Sequence, residues 1–140
     1  MDQLMPVLNA AGTAYVAHPA DAASAPQQIN KSGNVANAQA QASITPSSAT
    51  KTTYCSGIEV YAGGATVGLL VDVTVAGLLG GSRTFPFMAP LGIAIAAQPF
   101  VIDFNPPIPA SAVNTAISVT LPALGAGNAK AQVVIKGGEF

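Results

Sequence analysis

From Asn34 to Lys136 the chain alternates apolar and polar residues, and glycine or proline breaks the alternation at roughly ten-residue spacing. A period of two places one set of side chains on one side of a strand, whereas a helix needs a period near 3.6. In "NVANAQAQASIT" (34–45), Ala36, Ala38, Ala40, Ala42 and Ile44 alternate with Asn37, Gln39, Gln41 and Ser43. "KTTYCSGIEVYA" (51–62) puts Tyr54, Ile58 and Val60 on one face and Cys55, Glu59 and Tyr61 on the other. "TVGLLVDVTVAG" (66–77) aligns Val67, Leu69, Val71, Val73 and Val75 against Asp72 and Thr74. "LLGGS" is a hairpin turn, because Gly80 and Gly81 tolerate positive φ. "RTFPFMA" (83–89) turns Phe85 and Phe87 inward, and Pro86, which cannot donate to a ladder, marks an edge or a bulge.

The second half repeats this grammar. Phe100, Ile102 and Phe104 oppose Val101 and Asp103; Pro106, Pro107 and Pro109 then hold "NPPIPAS" extended. "VNTAISVTLP" aligns Val113, Ile117, Val119 and Leu121, "ALGAGN" turns, and "AKAQVVIKGG" sends Ala131, Val133 and Ile135 inward with Lys130, Gln132 and Lys136 outward. Seven strands follow Gly33, and an eighth is expected from 12–17 or 91–96. The fold class expected is all-β, an antiparallel β-sandwich of about eight strands in jelly-roll order. An immunoglobulin-like sandwich is the rival, without its Cys…Trp…Cys core.

The chain divides near Gly33 into an arm, residues 1–33, and a sandwich domain, residues 34–140. The arm has no sustained period and carries Pro6, Pro19 and Pro26. A short helix at 2–9 and an edge strand at 12–17 are its regular elements. With Leu4, Met5, Val7 and Leu8 near its tip, the arm is expected to order only against a partner. The opening "MDQLMPVLNAAG" has no basic n-region, so no secretory signal is expected there. Thr84 to Ile102 is uncharged and long enough to span a bilayer, but Pro86, Pro90 and Pro99 break it, giving strand, loop, strand.

Charged residues are 8% of the chain, against about 25% in an average domain, so part of the surface is expected to lie under other chains. A net charge of −1 offers no field for nucleic acid. The single Cys55 excludes an intramolecular disulfide and suits a reducing compartment. His18 and Cys55 are the only histidine and cysteine, and a surface histidine with a half-buried structural cysteine accounts for them better than a catalytic dyad. No cluster of zinc ligands is present. Asp2, Asp21, Glu59, Asp72, Asp103 and Glu139 are scattered; an acid–base pair such as Glu59 with Asp72 across neighbouring strands is conceivable, and solubilising charges are the simpler reading. "GGATVG" and "GLLGG" lack the Lys-Ser or Lys-Thr of a phosphate loop. Lys31, Lys51, Arg83, Lys130 and Lys136 are isolated, and Tyr15, Tyr54 and Tyr61 make a thin aromatic platform for sugar. A structural or binding protein is expected, not an enzyme, with no catalytic, cofactor-binding or metal residue and no cofactor.

The runs "GIEVYAGGATVGLLVDVTVAGLLGGSRTFPF" and "FVIDFNPPIPASAVNTAISVTLPALGAGNAKAQVVI", spanning Gly57 to Ile135, resemble the capsid cement, or head decoration, proteins of tailed bacteriophages, of the Bordetella-phage type. The most specific parts are the turns Gly77–Gly81, Asn105–Ser111 and Leu121–Gly127. The resemblance implies a jelly-roll homodimer, made in the host cytoplasm and held on the outer surface of the virion. There it would clamp neighbouring major capsid protein subunits without covalent links and without contact to nucleic acid or membrane. The family marks no individual contact residues. A fibre or tail-associated sandwich binding a host glycan is the alternative; a pilus-like subunit would need an export signal.

Overall fold

The computed structural model describes residues 28–65, 67–89, 91 and 99–140, with the backbone of two further strands, β1 (Val7–Leu8) and β2 (Tyr15–Val16). These two pair with each other, Val7 against Val16, so Val7–Leu8 is strand where a helix was expected. The rest of residues 1–27, including His18, lies outside the described residues.

Eight strands build two four-stranded antiparallel sheets. They are β3 (Gln28–Lys31), β4 (Ala40–Ile44), β5 (Thr53–Gly63), β6 (Leu69–Ala76), β7 (Arg83–Ala89), β8 (Phe100–Pro109), β9 (Ile117–Leu121) and β10 (Lys130–Glu139). One sheet runs β3-β10-β5-β8 and the other β4-β9-β6-β7. The pairs β6–β7, β5–β8, β4–β9 and β3–β10 are nested, each enclosing the one before in sequence and alternating between the sheets. The chain is therefore one long hairpin wrapped around a sandwich. The seven strands read from the alternation are all present. The eighth is Gln28–Lys31, four residues inside the segment assigned to the arm. It carries no apolar stripe, and the backbone of Val134–Gly137 gives it a place as an edge.

The core is the inner face of both sheets. Ile44, Ile58, Val60, Val73, Val75, Ile117, Val119, Leu121, Val133 and Ile135 are fully buried in it. β-Branched residues lose little by adopting extended backbone and pack well across a pleated surface. The two flanks close differently. On one, Asn30 Nδ2 donates across the gap to the Ser43 carbonyl at 2.7 Å. On the other, Phe87 meets Phe100 edge-on at 5.9 Å and Phe85 meets Phe104 at 6.3 Å, so aromatic pairs join β7 to β8. Leu78 and Leu124 come from turns and are buried in the core, and Gly77, Gly80, Gly81, Gly125 and Gly127 supply the positive φ that those turns require.

Two departures from strict alternation have one cause. The β5–β8 register shifts between Cys55 and Gly57, and the β10–β5 register shifts between Lys136 and Gly137. These bulges reverse the parity of β5 at its start, so Cys55, expected opposite Ile58 and Val60, shares the core with them. At the second bulge Gly137 is pressed against β5. A Cβ there would run into the Tyr54 carbonyl and lie 2.5 Å from Ile44 Cδ1. Gly33 has nothing within 4 Å of such an atom. Gly137→Ala should therefore cost about 3 kcal/mol or more. Gly33→Ala should be neutral or stabilising by about 0.5 kcal/mol. Urea unfolding of the two variants beside the parent checks the contrast.

Candidate functional site: two unlike faces and a cationic groove

Glu59, Tyr61, Asp103 and Lys136 stand on the outer face of the β3-β10-β5-β8 sheet. In register, Lys136, Gly57 and Asp103 form one row across three strands. Gly57 carries no side chain, so the lysine crosses it and its Nζ donates to Asp103 Oδ1 at 2.9 Å. A Cβ on Gly57 would lie 2.7 Å from Asp103 Oδ1 and 2.7 Å from the Ile102 carbonyl. Lys136 Nζ is also 3.6 Å from Glu59 Oε1, and the Tyr61 hydroxyl donates to Glu59 Oε2 at 2.7 Å. Asp103 holds the lysine ammonium in its charged form and raises its pKa; the Glu59 hydrogen bond raises that of Tyr61. This staple ties edge strand β8 to β10 across the intervening β5.

The outer face of the other sheet is different. Thr84, Thr74, Thr120 and Gln41 form one row across all four strands. Ser118 and Ser43 sit beside it, with Asp72 opposite Pro86 and Leu70 opposite Met88. Among the residues of these four strands only Asp72 and Arg83 ionise, and Arg83 follows the inward parity of Phe85 and lies on the flank. The face is thus neutral and hydroxyl-rich. It ends in an apolar patch, with Leu70 66% and Met88 70% exposed and Val67 and Leu91 as open. The alternation placed Val67 and Leu69 inside; the far end of β6 instead overhangs the core, so both faces of the strand meet solvent there.

Between the flank strands β7 and β8 lies an open groove of about 500 Å³, lined by Arg83, Asp103, Phe104 and the segment Asn105–Pro109. The Arg83 guanidinium sits 5.9 Å from the centre of the Phe104 ring. The three turns that carry the phage resemblance are in part structural. Leu79 N donates to the Pro109 carbonyl and Ser111 N to that of Gly77, both at 2.8 Å, so the first two turns brace each other. Leu78, Ala110 and Leu124 from these turns are buried, while Leu79, Asn105 and Pro106 face solvent.

Of the residues weighed for catalysis, His18 lies outside the described residues, and Cys55, Glu59 and Asp72 are not brought together. Cys55 is wholly buried, its Sγ directed at the Gly57 carbonyl, and burial pushes its thiol up to about 11. Glu59 and Asp72 lie on strands of different sheets and face away from the core on opposite sides of the sandwich, not across neighbouring strands. Among the described residues no three His, Cys, Asp or Glu side chains gather as a metal site. The staple was missed because register joins its parts; only Glu59 and Tyr61, two apart on one strand, showed in sequence. No family model matches the chain, and no curated protein or solved structure matches it. No described helix is long and apolar enough to cross a membrane.

The titrating groups predict an alkaline limb of unfolding. Cys55 has a folded pKa raised from 9.0 to about 11, so the unfolded chain releases this proton first and stability falls as pH rises between those values. Tyr61 and Lys136 are also raised, from 10.0 and 10.5, and their contributions are lost as pH rises above those values, overlapping the upper part of this window. Between pH 9 and 11 the Cys55 share is about 2 kcal/mol. Cys55→Ala, though less stable at pH 7, should have a visibly flatter limb in that window. Urea midpoints at half-unit pH steps test it. Equal slopes would assign the limb to other groups.

Proposed function

We propose that this protein is a non-enzymatic cement protein of a phage head. It sits on the outside of an icosahedral shell, as a homodimer, and clamps neighbouring major capsid subunits together without covalent links. The carrying observation is the unequal division of charge between the two sheet faces. The stapled face keeps Lys31, Lys136, Glu59 and Asp103 in water, whereas the neutral face holds Asp72 alone. A broad face of threonine, serine and glutamine loses little desolvation energy on being covered, and an apolar patch at its end adds burial. The neutral face is therefore the docking face in this reading. The nested strand pairing supports a jelly roll, eight strands in two sheets, as the resemblance implies. A clamp with two equivalent halves holds through effective concentration even where each half binds weakly. Proline-stiffened loops such as Asn105–Pro109 lose little entropy on contact.

Heads assembled with and without the protein give the test. Bound protein should raise their rupture temperature through mass action on the assembled state. Thr84→Lys combined with Thr120→Lys should weaken binding at least tenfold, because it places two new unpaired charges on a covered face. Gln132→Lys on the stapled face should leave it unchanged, and all variants should keep the parent melting temperature within a few degrees. Heads that take up no copies, or take them up without gain in stability, refute the cement reading. Copies found only on tails support the glycan-binding alternative.

A further inference from the structure

The groove on the β7–β8 flank has a polarity that selects its occupant. Among the described residues, both ion pairs belong to Lys136, and Arg83 is paired with no carboxylate. Its guanidinium is exposed and lies over the Phe104 ring. A cation–π contact at this distance attracts the guanidinium weakly and leaves its N–H donors free. Asp103, the one carboxylate lining the groove, is neutralised by Lys136. The opposite wall is the edge of β8, where Pro106, Pro107 and Pro109 have no amide hydrogen. The Pro109 carbonyl is already held by Leu79 N, so the acceptors on that wall are the carbonyls of Asn105–Pro107, which have no ladder partner on β5. An occupant must then bring its own donors and one compact anion. A phosphate wants several donors converging on it, and the groove supplies one guanidinium and the Asn105 amide. A carboxylate is satisfied by a single fork, and a polypeptide backbone supplies the donors.

We propose that this groove binds an extended segment of a partner protein carrying an aspartate or glutamate, its carboxylate seated on Arg83 and its main-chain amides facing the proline edge. The proposal does not rest on the cement reading. In that reading the segment would belong to an acidic loop of the shell.

The probe is the blocked pentapeptide acetyl-Thr-Val-Glu-Thr-Val-amide, titrated into the intact ¹⁵N-labelled protein. Saturable shifts are expected at Arg83 Nε–Hε and at the backbone amides of Phe104, Asn105 and Ile108. The glutamine analogue should bind about tenfold more weakly, as should Arg83→Gln, since a charge-assisted bidentate pair is lost. Arg83→Lys keeps the charge but not the fork, and should fall between them. Lys136→Met should also weaken binding, because it uncovers the charge of Asp103 beside the incoming carboxylate. A melting temperature for each variant separates loss of the groove from loss of the fold. Arg83 and Lys136 are exposed or half-exposed, so at least Arg83→Gln should fold. Equal binding of the glutamate and glutamine peptides, absence of saturable shifts, or a response to inorganic phosphate as strong as to the peptide would each overturn the proposal. Failure of the protein to bind heads, with these shifts present, would refute the cement reading alone.

Discussion

Strand β10 is the member on which the rest depends. It hydrogen-bonds on one side to Gln28–Lys31 and on the other to the whole of Thr53–Gly63, so it is central in its sheet while joining the first strand to the third. Its inward residues Ala131, Val133 and Ile135 are buried to the last, and its outward Lys136 anchors the staple to β8. The bulge at Lys136/Gly137 also fixes where β5 changes parity. Alternation, pairing and charge placement converge on ten residues.

A chain with so few charges must place them with care, and the structure does so by sheet. One face gathers both signs into a network in which Lys136 serves two carboxylates, Glu59 and Asp103. The other keeps Asp72 as its one charge and is otherwise built of hydroxyls and an amide, which lose less on leaving water than charges do. The exposed edges are guarded by other means. Pro86 interrupts the free edge of β7 and three prolines that of β8, which blunts indiscriminate strand addition. The same prolines give the flank groove its one-sided hydrogen-bonding character. Protection from random pairing and selection of an occupant thus have a common origin.

Much of this architecture was legible in the residue pattern. Seven strands, the inward rows of β6, β7, β9 and β10, and the edge position of β7 from Pro86 all follow from period and punctuation. What escaped was whatever depends on register or on the extent of the core. β3 has a single apolar residue, the exposed Ile29, and becomes a strand only because β10 has a free edge. Cys55 changed sides through a bulge at Ser56, which is extra against β10, a strand more than seventy residues further along the chain. Leu69 alternates correctly with its neighbours yet hangs past the end of the core. The Lys136–Asp103 contact skips a strand, and no spacing along the chain announces it. The groove needed two edges from different sheets, which pattern alone does not juxtapose.

The nesting of strand pairs has a consequence for biosynthesis. The innermost hairpin, β6–β7, is local and can zip as soon as Ala89 has cleared the ribosome. Each later strand then returns to a partner already made, so loop-closure entropy is met in small increments and not in one long search. The centre of one sheet nevertheless stays empty until β10 emerges, and until then β5 shows the nascent chain's surroundings an unpaired apolar edge. Arrival of β10, not the making of any single hairpin, is the step that closes this sheet, because β10 alone joins β3 to β5.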